Sequence, residues 1–363
     1  MALAIVILVL LLTLSFFYLK CSLMQSLSML WSAVIATIIA FSFYEAAAQQ
    51  FLTRGYGLDW AQFGCFLAVY IISFALLRTA LDYVVPMKID LGDPVKIVAA
   101  VVCGLLTGVI FSGNLLVAMG LLPSQGKIFY SRFDPDAPVA LRQPRTPALK
   151  TDGFVTGLYS RISSGSMSSG QSFGVLHADY LAQIHLNKLK TKDQVLTVCS
   201  QDALILPRDK NQKPIRRQTT AEGKEIMIVR AGIRARKITD GGANNASGKI
   251  AFFPAQIRLI VKEANVAAHP LAQTATAIYP IGLWKSGKVI EWELNEIVTP
   301  DSKGIRDRVY WMDVAFQDPK GKKPVLLEFK QNAVVDLSPY EVVKNTPEIE
   351  QALNDEGQKK GSP

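Results

Sequence analysis

The chain has 363 residues, half of them apolar, with 39 basic against 30 acidic side chains and a net charge of +9. That length leaves room for two or three domains. Four cysteines exclude a disulfide-framed fold, and the lack of basic clusters interleaved with aromatics speaks against a nucleic-acid partner; Arg230, Arg234, Arg236 and Lys237 come nearest but lie in an alternating strand pattern.

The averages conceal two unlike halves. Residues 1–123 carry five basic and five acidic groups, so the whole excess of positive charge lies in residues 124–363. The first part holds four apolar runs, at 2–19, 23–48, 60–77 and 97–122. A lipid-spanning helix needs about 20 apolar residues, at about 1.5 Å each, to cross a core of about 30 Å. All four qualify, the third by borrowing Leu81 and Tyr83. The first is expected to stay as a span: no basic residue precedes it, and Phe16, Phe17, Tyr18 and Leu19 stand where a cleavage site needs small residues.

Orientation follows from basic residues in the short connections. Lys20, Arg78, Lys88 and Lys96 fall on one side and Arg54 on the other. The first group is expected to be cytoplasmic, which puts the amino terminus and everything after Leu122 outside the cytoplasm, in the periplasm if the cell has two membranes. Ala100, Gly104, Gly108 and Ser112 form a small-residue stripe on span four, and Ser32, Ala36 and Ala40 a second on span two. Such stripes let helices approach closely in lipid, so they are expected to pack span four against span two or against a second copy. Glu45 is expected where span two runs into the interface, and Asn114 to bond across helices or line a polar cavity. In the 82–96 connection, Pro86 ends a helix and Gly92-Asp93-Pro94 starts the next.

After Pro123 the composition changes. Pro135, Pro138, Pro144 and Pro147 predict an extended linker over 124–150. A short apolar segment at 153–162 precedes a serine-glycine loop at 163–170, and the spacing of Phe173, Leu176, Tyr180, Ile184 and Leu186 predicts a helix over 173–189. Two-residue alternation then predicts strands at 195–199, 225–236, 250–261, 275–283, 289–293, 309–316 and 325–329. Turn clusters separate them, at Asp240-Gly241-Gly242, Ser286-Gly287 and Asp318-Pro319-Lys320-Gly321. Residues 346–363 read as a disordered tail. The fold class is therefore an α+β membrane protein: four transmembrane helices over 1–123, a proline-rich linker, and a mostly antiparallel β-sandwich-like domain over 151–345.

Little points to catalysis. His177 and His185 are eight residues apart, too far along a helix to share a metal without a third ligand, and Asp179 lies on another face. Ser166 with either histidine and Asp179 has the residue types of a hydrolase, but no glycine-flanked nucleophile follows a strand. No phosphate loop or dinucleotide fingerprint occurs. No enzyme activity, metal or cofactor is expected. Trp284, Lys285, Trp292, Arg306, Arg308 and Tyr310 form an aromatic-basic group that is a possible partner surface if exposed, although the alternation around Tyr310 directs part of it to the core.

The segments FGCFLAVYIISFALLR and VKIVAAVVCGLLTGVIFSGNLLV, with Gly104 and Gly108, resemble the colicin V production (CvpA) family of bacterial inner-membrane proteins over residues 1 to about 120. Arg54-Gly55 is a faint echo of that family's arginine-glycine motif, and Asp93 with Lys96 stands where it has Asp-Arg. The resemblance implies an envelope protein with no enzymatic mechanism, linked to toxin export or envelope homeostasis. Further on, DVAFQDPKGKKPVLLEF is similar to a strand–turn–strand segment of extracellular β-sandwich modules, which implies binding. The expected partners are the lipid bilayer, a second copy of the chain, and an envelope protein or cell-wall polymer. A part in an export or transport pore built by oligomerisation is the alternative.

Overall fold

A computed structural model describes residues 2–84, 92–124, 131–147, 149–165, 172–190, 195–207, 213–236, 243–244, 248–263, 275–300, 305–306, 308–346 and 349. The serine-glycine loop beyond residue 165, the Asp240-Gly241-Gly242 turn, Lys88 and the carboxy-terminal tail lie outside them.

Four long helices open the chain: α1 (Ala2–Lys20), α2 (Leu23–Thr53), α3 (Ala61–Val84) and α4 (Asp93–Leu121). Each is long and apolar enough to cross a membrane. A capping box starts α2, in which the Ser22 hydroxyl accepts from the Gln25 amide and the Gln25 side chain accepts from the Ser22 amide. Leu8, Leu11 and Leu12 on α1 and Ile71, Ile72 and Leu76 on α3 point outward, a surface that suits lipid. At 31 and 29 residues, α2 and α4 are about 46 and 44 Å long, well beyond a hydrocarbon core of about 30 Å. Their surplus length carries the rest of the chain.

The small-residue stripe of α4 faces α1, not α2 or another copy. A Cβ at Gly104 would lie 3.2 Å from that of Phe17, and one at Gly108 would lie 2.5 Å from Thr13 Oγ1 and 2.9 Å from a Leu10 methyl. The stripe on α2 is buried too, with Ala36 and Ala40 packed in one cluster with Val117 and Ala118 of α4. Asn114 bridges the same two helices, its amide donating to Thr37 Oγ1 at 2.8 Å. Gly108→Leu is therefore expected to part α1 from α4, at a cost of about 1–3 kcal/mol or more, whereas Val101→Leu is tolerated. Membrane abundance and thermal stability in detergent at matched expression check this; equal behaviour of the two variants would show the close approach to be incidental.

The stretch expected as an extended linker packs against the fold over its described residues 131–147. Phe133 is buried, Arg132 pairs with Asp152 at 3.1 Å, and Asn295 donates to the carbonyls of Pro135 and Ala137. Three short helices follow, α5 (Thr151–Ser164), α6 (Phe173–Leu176) and α7 (Tyr180–Leu186). They sit between the long apolar helices and the strands, so the unit expected to be mostly β starts with helices, of which α5 was not expected. Gly113 admits α5 against α4: a Cβ there would lie 2.5 Å from the Thr151 carbonyl and from a Val155 methyl.

Among the described residues twelve strands follow: β1 (Leu204–Ile205), β2 (Ile215–Thr219), β3 (Glu225–Arg234), β4 (Ile257–Glu263), β5 (Ala275–Ile278), β6 (Pro280–Lys285), β7 (Lys288–Glu291), β8 (Ile305–Arg306), β9 (Val309–Gln317), β10 (Lys322–Phe329), β11 (Ala333–Asp336) and β12 (Val343–Lys344). The larger sheet runs β12-β2-β3-β9-β6-β7, with β1 also on β3 and β8 also on β9; the smaller runs β11-β10-β4-β5. All pairs are antiparallel except β12 with β2, so the architecture is α+β with mixed, open sheets. The two sheets share one apolar core, in which Met227, Val229 and Val314 meet Leu259, Leu327 and Phe329.

Three sequence expectations need correction here. The strand expected at 250–261 begins only at Ile257, after isolated bridges at Ile250 and Phe252 and a helical turn at Pro254–Gln256. Residues 195–199 form no strand, because side chains satisfy their backbone: Asp59 accepts from the Thr197 amide at 2.8 Å, Asn332 from the Cys199 amide at 3.1 Å, and Asn187 donates to the Thr197 carbonyl. The segment lies on α2 and α3 instead, with Val198 packed on Ala48, Leu52, Ala61 and Cys65. The single stretch at 275–283 is two strands in different sheets, divided at Tyr279.

Candidate functional site

The helix expected over 173–189 breaks at His177–Asp179, where Asp179 takes a left-handed φ of 54°. The cause lies in the smaller sheet. Arg258 of β4 and Glu328 of β10 are directly opposite in register and almost fully buried, with Arg258 Nη2 at 2.6 Å from Glu328 Oε2 and Nε at 3.2 Å from Oε1. Arg258 Nη1 also donates to the Ala178 carbonyl at 2.7 Å, and Nη2 to the Leu176 carbonyl at 3.4 Å. Two carbonyls of the break are thus held by a buried guanidinium, whose forked donors suit several acceptors at once.

From this pair a polar chain runs to α2. Gln183 Nε2 donates to Glu328 Oε1 at 2.7 Å, which turns Gln183 Oε1 toward His177 Nδ1 at 2.9 Å. The other ring nitrogen of His177 lies 3.1 Å from Glu45 Oε1 on α2. The same Glu45 oxygen accepts the Tyr44 hydroxyl at 2.7 Å, and Tyr180, 2.9 Å from Tyr44, supplies the next proton.

The neighbours of His177 favour its charged form. Gln183 cannot be flipped without setting its oxygen against the Glu328 carboxylate, so Nδ1 faces an acceptor and carries a proton. Nε2 faces a Glu45 carboxylate oxygen, which favours a proton there as well. Burial opposes that charge, but the charge of Glu45, its hydrogen bond, the charge of Glu328 and the bond to Gln183 outweigh it and hold the histidine above its usual pKa. Aromatic rings wall the site: Phe173 lies 4.7 Å from the His177 ring and 5.1 Å from that of Tyr180.

Glu45 and His177 also form one wall of a cleft of 360 Å³ between the carboxy-terminal end of α2, the amino-terminal end of α3, the 201–203 turn and strands β10 and β11. Glu45 keeps 35% of its side chain exposed there. A larger groove of 990 Å³ lies along the β2–β3 and β6–β7 hairpins, but its rim carries surface ion pairs such as Glu222 with Lys224.

Two buried lysines add anchors. Lys188 Nζ donates to the Met119 carbonyl in the last turn of α4, where a cation also meets the negative end of the helix dipole. Lys330 Nζ donates to the Ala251 carbonyl. Burial pulls both ammonium groups down to about 8.

The other residues singled out in the sequence are dispersed. His185 is buried beside Gly120 of α4 and apart from the His177 chain. Ser166 and the Arg306 side chain lie outside the described residues. The aromatic-basic group does not make one exposed surface. Trp284 is buried with Ile226, Ile228 and Ala315, while Trp292 and Tyr310 pack on the main core. Lys285 and Arg308 are exposed. Sequence reading missed Arg258, Glu328 and Gln183.

No family model, no curated protein and no solved structure matches this chain.

Proposed function

We propose that the chain is a non-enzymatic bacterial envelope protein of the colicin V production type, in which four inner-membrane helices hold a sandwich-like β part outside the cytoplasm, where it binds a protein or cell-wall partner. The observation that carries this reading is the docking. Glu45 on a long apolar helix is joined through His177 and Gln183 to the buried Arg258–Glu328 pair of the sheet. A domain merely tethered to a membrane needs no buried ionic contact with its anchor; one that presents a binding face at a fixed height above lipid does. The orientation is supported by Lys20, Arg78 and Lys96, which fall at the helix ends remote from the β part, as cytoplasmic connections require. Arg78 reaches Ser28 there at 2.7 Å.

Reporter fusions after Pro363 test the compartment, and a membrane-impermeant cross-linker on intact cells tests the partner. A reporter active outside the cytoplasm, with cross-links to envelope protein or wall material, is expected. Activity only in the cytoplasm would sink the reading.

A further inference from the structure

The cleft beside Glu45 has a lining that selects for one kind of chemistry. Three carboxylates reach it, from Glu45, Asp202 and Asp336, with amides from Gln49, Gln201 and Gln331 among others. Among the described residues no lysine or arginine lines it, and His177 on its wall is already turned to Glu45 and Gln183, so an anion would face three carboxylates with little to offset them. Gln331 is 4% exposed in the turn between β10 and β11, and its oxygen accepts from Asn187 at 3.3 Å. Its amide nitrogen has no hydrogen-bond partner among the described residues. A buried donor without an acceptor costs free energy unless something supplies one.

An occupant must therefore both donate, to the carboxylates, and accept, from Gln331. An ammonium group only donates and would leave the Gln331 nitrogen as it is. Hydroxyl groups do both. At 360 Å³ the cleft is at the small end of the roughly 300–1,000 Å³ of ligand sites, and its polar lining suits a compact polyol better than an apolar ligand. Its height agrees: Glu45 is 22 residues beyond Leu23, about 33 Å along α2, at the outer rim of a core about 30 Å thick.

We propose that this cleft binds a neutral saccharide unit at the membrane surface, whether from a soluble glycan or from a lipid-linked one. The proposal rests on the outward orientation above and names the wall-material arm of that reading. The full chain in nanodiscs is titrated calorimetrically with cellobiose, diacetylchitobiose, a glycolipid with the same disaccharide head, putrescine and inorganic phosphate. Binding of a disaccharide or the glycolipid is expected, and the tighter of the two identifies the source. Asp202→Ala and Gln49→Ala, on exposed or half-exposed positions, are each expected to weaken it about tenfold, the effect of losing a hydrogen bond to a charged or buried polar group. Glu222→Ala in the distant groove leaves it unchanged. Binding of putrescine or phosphate in place of sugar, no binding by any probe, or saccharide binding indifferent to both cleft variants would each overturn the proposal. The reporter fusions report on orientation separately, so a failure here and a failure there are told apart.

Discussion

Glu328→Ala is expected to destabilise the protein by about 3–5 kcal/mol, the usual cost of removing one partner from a buried ion pair. The Arg258 guanidinium would stay 1% exposed, left with neutral acceptors such as the Leu176 and Ala178 carbonyls in place of a carboxylate. Gln183 would lose the acceptor that sets its orientation, and with it the hydrogen bond that orders His177. The damage therefore extends beyond one pair. Thermal unfolding of the purified chain in detergent measures it, and limited proteolysis shows whether the α6–α7 break opens first. Arg258→Ala should cost a similar amount, and the double variant clearly less than the sum of the two, because residues in one network do not contribute independently. A Glu328→Ala protein within about 1 kcal/mol of the parent would show that the pair is incidental to docking; that is the scale of an ordinary exposed pair.

The helical half was legible because length and hydropathy alone constrain it. The four apolar runs are four helices, each long and apolar enough to cross a membrane, and a helix satisfies its own backbone groups as such a crossing requires. The neighbour of the α4 stripe was not legible. A small-residue face says that something packs closely and not what, and here it is Phe17, Leu14 and Leu10 of α1. Most longer strands were visible in their alternation. The 195–199 segment has the same alternation, yet its backbone is taken by Asp59, Asn187 and Asn332, which lie far away in sequence. The helix break at His177 is of the same kind, because its cause is an arginine about 80 residues later. One signal was available and went unread. Arg258 in IRLIVKE and Glu328 in LLEF each stand at inward positions of apolar strands, and a charge on a buried face requires a partner.

Stability is expected to fall as pH rises through the folded-state pKa of His177. In the unfolded chain this histidine titrates near 6.5; in the folded chain Glu45, Gln183 and Glu328 hold it higher. The stabilisation is therefore complete below about pH 6.5 and is lost as the pH climbs past the folded value. Once neutral, the ring sets a bare nitrogen against either Glu45 or Gln183, a buried mismatch costing about 1–3 kcal/mol. The groups packed around it do not relieve this. Tyr44 and Tyr180 are already engaged with Glu45 and with each other, and Arg258 is engaged by Glu328 and two carbonyls. Lys188 and Lys330 act in the opposite sense. Burial lowers both to about 8, so each adds stability as pH rises from there toward the ordinary lysine value. The raw stability curve mixes these effects, and the informative quantity is the difference between the parent and His177→Gln, in which both lysines cancel. That difference should shrink from pH 6 to pH 9, because only the parent loses a charge at this position. Thermal midpoints in detergent across that range measure it, with Glu45→Gln as the matched change on the membrane side. Parallel curves for parent and His177→Gln would mean that the imidazolium does not hold the β part to α2.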